Sequence, residues 1–298
     1  MSTQTPELEE VLAGAEKTPP KRRSRRQDFR VNWWLTALMV VLSLTVLVPL
    51  YFTLVTSLKT PEQLADSPWG LPSDPRWANF SDAWRLTNFP KAFMWSGIIT
   101  AGAVVVSLLT NSMVAYAISR NLHHRLFKGV FFYFISALFV PFPIIMLTVV
   151  KVTSTLGLDN PLGLIILYVV FGLSFTIFLY VGYLQSIPRE VEEAAYVDGA
   201  SVWQTFWRVI FPLLSPMNAT VGILICLWAW KDFLLPLVIL SDPDTQTLPL
   251  VQYVFQGQFS TNYTVAFASY VMALAPMVLV YVVAQRWVIS GVTRGAIK

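Results

Sequence analysis

Long uncharged stretches alternate with short charged ones along this chain. The uncharged windows run over 31–58, 92–119, 129–150, 160–188, 209–230 and 245–285. A helix needs about 20 apolar residues to cross the hydrocarbon layer of a bilayer. The windows therefore predict spans at 33–56, 94–118, 129–150, 162–184, 217–240 and 265–288. Lipid offers no hydrogen bonds to a backbone, so each span must satisfy its own polar groups as a helix. The expected class is all-α, a polytopic membrane protein with six transmembrane helices.

Composition agrees with the pattern. Of 298 residues, 55% are hydrophobic and 13% charged, about half the charged share of a soluble domain. The 11 Trp suit membrane–water interfaces, where a flat amphipathic ring is favoured. The single cysteine, Cys226, excludes an intrachain disulfide and a multi-cysteine metal site. The first apolar run is too long for a signal-peptide core and no small-residue cleavage site follows it, so it is read as retained.

Charge then orients the chain. Six spans put both termini on one side. Fifteen Lys and Arg fall in the segments on that side and five in the alternate set, with Lys231 inside the fifth predicted span. The rich side is cytoplasmic by the positive-inside rule, so both termini are expected inside. The net charge of +4 is read as an orienting signal and not as a nucleic-acid signal. Residues 1–32 combine acids, Pro19-Pro20 and the run Lys21-Arg22-Arg23-Ser24-Arg25-Arg26. They are expected to be a disordered basic cytoplasmic segment that anchors topology and meets anionic lipid. Residues 33–290 form the expected six-helix transmembrane domain, with the cytoplasmic loop 185–216, and 291–298 a cytoplasmic tail. The outer segment 57–92 is too short to be a substrate-binding domain. Its Trp69, Trp77 and Trp84 suit either interfacial anchoring or contact with a separate binding domain.

The loop 185–216 carries the most information. Pro188 suits a first helical turn, where its missing N–H is unpaired anyway. Glu190, Glu192 and Glu193 follow, and carboxylates are favoured by the dipole at a helix N-terminus. Val191, Ala194 and Ala195 make a small apolar face. Gly199 supplies the permissive backbone that ends a helix. Ser201 and Gln204 fit a capping box for a second helix. Trp203, Phe206, Trp207 and Ile210 then recur on one helical face, and Pro212 is expected to stop it. The prediction is a helix–glycine–helix bracket, its second half held to the membrane and its first half offered outward. An interfacial helix pair that merely tucks the loop away fits the same periodicity. A DNA-binding helix-turn-helix is disfavoured by the acidic front and the tether on both sides.

At this point a resemblance enters. Glu193-Ala194-Ala195, three residues, Gly199, nine residues, Val209, one residue, then Phe211-Pro212 resembles the EAA loop of bacterial ABC-importer permeases. The family's usual Ile and Leu are replaced by Val209 and Phe211. Ser186-Ile187-Pro188-Arg189-Glu190, Asp198-Gly199-Ala200-Ser201, Ala115-Tyr116-Ala117 with Arg120, Pro141-Phe142-Pro143, Leu156-Gly157-Leu158-Asp159 and the ending Gly291-Val292-Thr293-Arg294-Gly295 are similar to the carbohydrate-importer branch. The resemblance covers roughly residues 33–298. It implies a type I ABC importer transmembrane domain in the bacterial plasma (inner) membrane. The implied partners are a second, homologous permease subunit, two ATPase subunits, an extracytoplasmic solute-binding protein and a sugar. It also implies that this chain binds no cofactor, ATP and Mg being used by the partner ATPase. The bracket would be the coupling helix, with Glu193, Ala194, Ala195, Asp198, Gly199 and Pro212 in the ATPase contact. Gly291, Thr293 and Gly295 of the tail would reach the same partner.

The fifth span departs from the family's usual Trp-Asn followed by an acid, reading Trp230-Lys231-Asp232-Phe233. A charge within a span is costly and functional by default. For Lys231, a role in a cavity or gate stands beside snorkelling or contact with a companion subunit. Asn111, Tyr116, Trp228, Trp230, Lys231 and Asp232 are the candidate substrate-pathway residues; packing is the ordinary reading of each. The outer segment 241–264, with Gln256-Gly257-Gln258, is either a binding-protein contact or a surface loop. The chain has no Gly-Lys pair and hence no phosphate loop. His123-His124 has no ligand at metal spacing. The rival readings are an ion-gradient-driven secondary transporter or channel, which favours buried carboxylates in matching halves, and a membrane-embedded enzyme, for which no constellation is found.

Overall fold

The computed structural model describes residues 32–256 and 262–296. The basic N-terminal run and Gly257-Gln258 lie outside the described residues. Every regular element described is helical: α1 (Trp33–Ser57), α2 (Pro61–Asp66), α3 (Ala78–Leu86), α4 (Phe89–Arg120), α5 (Arg125–Ala137), α6 (Phe142–Thr155), α7 (Pro161–Leu184), α8 (Glu190–Val197), α9 (Val202–Leu213), α10 (Ser215–Lys231), α11 (Leu234–Ile239), α12 (Leu248–Val251) and α13 (Tyr263–Ala296), with short 3-10 turns around α12. Four helices are long and apolar enough to span alone: α1, α4, α7 and α13. Two bent pairs, α5 with α6 at 105° and α9 with α10 at 75°, bring the number up to six where each pair is counted as one span.

The chain divides into two compact units at Val48/Pro49. In the first, every described side chain is exposed, although the helix is apolar all round. Such a surface is stable only against lipid or another apolar chain. The second unit holds the core. α4 and α7 are its closest pair, with α10 packed on both. Ile99, Ala103 and Ala115 of α4 meet Leu164, Tyr168, Ile177, Tyr180 and Leu184 of α7 and Val221, Ile225 and Ala229 of α10. Lipid tails are as apolar as these side chains, so helix association here comes from close packing, and small residues permit it. Ala103, Ser107, Ser112 and Ala115 form such a small-residue stripe on α4, each fully buried.

Proline explains the broken spans. Its ring clashes with the carbonyl four residues back and removes a hydrogen bond. Pro141 and Pro143 therefore forbid one continuous helix over the predicted span 129–150, which breaks between Ala137 and Phe142. Pro236 has the same effect on the carbonyl of Asp232. The predicted span 217–240 accordingly ends at Lys231 and restarts at Leu234. Pro212 behaves otherwise than expected. A π-helical turn over Phe206–Ile210 widens the backbone ahead of it, α9 runs on to Leu213, and the bend falls at Leu214. No proline follows Gln285, and α13 carries Gly291, Thr293 and Gly295 as helical backbone to Ala296.

The segment 57–92 is a built structure. Thr60 and Gln63 form a capping box on α2. The buried Asn79 donates to the carbonyls of Ser57 and Lys59 at 2.9 and 2.8 Å. Lys59 is only 1% exposed. Its Nζ donates to the carbonyls of Ser67 at 2.5 Å and Pro68 at 3.1 Å, and burial pulls its pKa below the usual lysine value. Leu248 N donates to Ser96 Oγ at 2.8 Å and Gln252 to Ser269, pinning the segment after α11 onto α4 and α13.

Gly163 tests the packing at the start of α7. A Cβ there would stand 1.8 Å from the Leu158 carbonyl oxygen, which is backbone and cannot yield cheaply. Gly163→Ala is expected to destabilise by ~3 kcal/mol, the upper end for overpacking, and to lower the unfolding temperature in detergent. Gly129→Ala, where a Cβ meets nothing within 4 Å, is expected to leave it unchanged or raise it slightly.

Candidate functional site

The bracket forms as a distinct feature. Three carboxylates stand in the first turn of α8. The helix ends in a Schellman arrangement: Gly199 takes φ +84°, its N–H donates to the Tyr196 carbonyl at 3.0 Å, and Ala200 N–H donates to Ala195 at 2.9 Å. The left-handed turn needs a residue without Cβ, which is why glycine stands there. Ser201 and Gln204 then cap α9 reciprocally. Phe206 and Ile210 are buried while Trp203 is exposed, so the apolar face of α9 starts one turn later than its periodicity predicts.

The two adjacent glutamates have opposite fates. Glu193 is exposed, together with Ala194, Asp198 and Gly199, while Ala195 is half-buried. Glu192 is 6% exposed. Tyr116 Oη donates to Glu192 Oε2 at 2.7 Å, and Arg120 Nε donates to Oε1 at 2.6 Å. Arg120 also donates through Nη1 to the Leu184 carbonyl at 3.0 Å and through Nη2 to Ile187 at 3.4 Å. Arg189 returns a bond to the Arg120 carbonyl at 3.1 Å. A buried charge costs several kcal/mol unless it is paired and its remaining hydrogen-bonding capacity filled, and here both conditions hold. Val197 at 88% exposure, with Val202 and Trp203, gives the outward side of the bracket an apolar character beside its acidic first turn.

The pathway candidates separate into groups. Tyr116 lines neither of the two cavities described below; it belongs to the Glu192 cluster, its ring tilted against Phe206 at 5.3 Å. Asn111 is fully buried and donates to Thr176 Oγ1 at 2.9 Å, bridging α4 and α7. Trp230 donates through Nε1 to the Ala273 carbonyl at 3.2 Å. Lys231 is the exposed last residue of α10, and Asp232 sits half-buried in the break that follows. Trp228 and Asp232 do come together. Both line a cavity of about 560 Å³ walled also by Tyr133, Phe142, Phe171 and Ser174. Tyr168 Oη donates to Asp232 Oδ2 at 3.0 Å, and the Tyr168 ring meets Trp228 edge-on at 5.2 Å. Asp232 is the one charged side chain in that wall. Trp228 also borders a second cavity of about 310 Å³ between α7 and α10.

Sequence reasoning missed Glu192 as an anchor and Tyr168 as the partner of Asp232. Neither has a local signal, because Arg120 and Tyr168 lie 72 and 64 residues from their partners. Among the described residues no His, Cys, Asp or Glu group is arranged to hold a metal ion.

A bundle of broken and whole apolar spans with a side-chain-anchored acidic bracket defines a transport permease subunit. The chain belongs to the family of binding-protein-dependent transport system inner membrane components, whose profile matches residues 111–294. It is 37% identical to the multiple sugar-binding transport system permease protein MsmG of Streptococcus mutans, over 92% of this chain and all of that one. It is 33% identical to the probable starch degradation products transport system permease protein AmyC of Thermoanaerobacterium thermosulfurigenes, over 90% of this chain and 97% of the relative. In fold it is similar to a chain of a bacterial ABC transporter involved in import of the acidic polysaccharide alginate, with TM-score 0.72, 24% identity, and 90% and 99% of the two chains covered.

The Asn111–Thr176 pair is a buried bond between α4 and α7, and Thr176 also helps to line the cavity of about 310 Å³. Asn111→Ala is expected to cost ~1–3 kcal/mol by leaving a buried hydroxyl without its donor. It should lower the unfolding temperature in detergent while leaving the KM for transport unchanged.

Proposed function

We propose that this chain forms half of the translocation pathway of an ATP-binding-cassette importer, working with a second permease subunit, two ATPase subunits and an extracytoplasmic binding protein that delivers a sugar. The observation that carries the proposal is the bracket. α8 presents Glu193, Ala194 and Val197 outward while Glu192 fixes it from beneath. A short exposed helix so rigidly mounted is suited to be pushed by a partner. Glu193 meets a basic group of the ATPase, and the joint at Gly199 sets the angle between the two halves. The excess of Lys and Arg on the bracket side supports a cytoplasmic bracket and cytoplasmic termini. Gly291, Thr293 and Gly295, at the end of α13, face the same partner.

The names of the relatives support a sugar as cargo: multiple sugars for MsmG and starch degradation products for AmyC. The cavity at Asp232 supports it too. Aromatic walls suit the C–H faces of a pyranose, and a carboxylate accepts hydrogen bonds from hydroxyls. Its volume of about 560 Å³ lies in the usual range for small-molecule sites. A lone carboxylate favours an uncharged oligosaccharide over an acidic one. An ion-gradient transporter is the second reading, but it favours acidic sites in matching halves, and Asp232 is the single carboxylate in the two cavities described.

The test is uptake by the complex reconstituted in vesicles, with and without ATP, using labelled melibiose, raffinose and maltotriose. Uptake of at least one of these sugars only with ATP is expected; uptake driven by an ion gradient without nucleotide would overturn the proposal. Glu193→Lys is expected to insert normally and to cut ATP-dependent uptake about tenfold or more, a loss of ~1.4 kcal/mol of coupling. Gly199→Val, which forces a β-branched residue to φ +84°, is expected to do the same. Asp232→Asn is expected to raise the KM for the imported sugar with protein abundance unchanged.

A further inference from the structure

α8, the first half of the bracket, is tied to the bundle by one buried side chain, and that side chain is not on the outward face. Among the side chains of α8, Glu192 alone is buried. We propose, on the basis of the docking role given above, that Glu192 is the positioning residue that makes α8 and the end of α4 move as one body. Displacement imposed on α8 by the ATPase is then carried directly into α4.

The geometry of the cluster supports a mechanical role. Each carboxylate oxygen is held by a different donor, Oε2 by Tyr116 and Oε1 by Arg120. These two donors stand four residues apart on α4, one turn above each other on the same face. A carboxylate gripped at both oxygens resists rotation as well as translation. The guanidinium also donates through Nη1 and Nη2 to the carbonyls of Leu184 and Ile187, at and just past the end of α7, where carbonyls lack helical partners. Three chain segments thus converge on one planar cation, whose fixed fork a lysine does not reproduce. Charge-assisted bonds of this kind are short and directional. An apolar side chain would fill the same space at lower desolvation cost but would allow α8 to slide.

α9 is seated through the buried Phe206 and Ile210, whereas the turn between the two halves has no such hold. The joint at Gly199 is open, with nothing within 4 Å of where a side chain would begin. From the clamp, α4 runs 32 residues, about 48 Å at 1.5 Å per residue. Near its other end Ser96 accepts from Leu248 N, and Lys91 pairs with Asp244 at 2.6 Å. One helix therefore links the bracket to the segment that follows α11. Glu192 touches neither the cavity nor the exposed docking face, and its part is to hold α8 in register with α4.

The test uses the assembled importer in vesicles with its ATPase, companion permease and binding protein. The probe is labelled raffinose, or the first sugar of the panel above that is imported. Two quantities are read: ATP hydrolysed per sugar imported, and crosslinking of Val197→Cys to the ATPase in a Cys226→Ser background. With Glu192 intact the crosslink is expected to form. Glu192→Gln, at equal abundance in the membrane, is expected either to lose that crosslink or to raise the ATP-to-sugar ratio about fivefold or more. Tyr116→Phe, which keeps the ion pair, is expected to raise the ratio by a smaller factor and serves alone if Glu192→Gln does not accumulate. Arg120→Lys is expected to resemble Glu192→Gln. A merely structural role would lower abundance and leave the ratio per assembled complex unchanged. If both Glu192→Gln and Tyr116→Phe, or the latter alone where the former is absent, keep the crosslink and the ratio, the clamp is overturned and the docking role stands. If the chain with Glu192 intact never crosslinks to the ATPase, the docking role falls and the clamp falls with it.

Discussion

A carboxylate placed inside a helical bundle has to be neutralised where it lies, and Glu192 is. The pairing with Arg120, completed by Tyr116, decides how the rest of the bracket is arranged. Successive residues on a helix are turned by about 100°, so fixing Glu192 inward necessarily sends Glu193 and Val197 outward. The same pair fixes the end of α4 against the end of α7, through the carbonyls that Arg120 collects. Without an inward anchor, a helix as short as α8 would be marginal, because nucleation is costly and few turns repay it. Local devices help: three carboxylates against the dipole, the Schellman turn at Gly199, and the capping box at Ser201. They define where each helix starts and stops. They do not define what it leans on.

A second constraint shapes the membrane part. Backbone polar groups cannot be left bare in lipid, so a broken span is tolerated only where protein or a cavity receives the loose ends. The breaks at Leu138–Pro141 and at Asp232–Phe233 obey this rule together. Both border the same cavity of about 560 Å³, which Leu138, Val140, Asp232 and Leu234 help to line. Asp232 sits half-buried in the second break, its Oδ2 accepting from Tyr168 at 3.0 Å. The cavity is thus a consequence of where proline interrupts two spans, and the interruption puts a charged group into an otherwise aromatic wall.

What the sequence discloses depends on how local the cause is. The apolar windows, the turn at Gly199 and the capping box are set within a few residues of themselves, and the structure shows each of them. The broken spans were also written locally, in Pro141, Pro143 and Pro236, but hydropathy averages over a window and passes straight through a proline. Pro212 misleads in the opposite direction, because the π-helical turn ahead of it lets the helix continue. Glu192 was legible only as one of three similar acids. Its distinction comes from Arg120, brought close by the packing of α4 against α7, and no pattern along the chain announces that. Tyr116 shows the same limit, since its spacing places it in a span while packing turns it towards the bracket.

Similarity of fold does not settle what such a chain carries. The alginate importer shares this architecture at 24% identity, and one architecture hosts many cargoes because selectivity resides in a few side chains. The wall around Asp232 has aromatic faces, two hydroxyl-bearing residues in Tyr133 and Ser174, and no cationic side chain. An acidic glycan entering it would meet a like charge in surroundings too apolar to screen it, where repulsion is far stronger than in water. An uncharged oligosaccharide would offer hydroxyls to the same carboxylate. Where this wall meets the cargo as proposed, its single carboxylate favours an uncharged glycan, and it does so without altering the bracket.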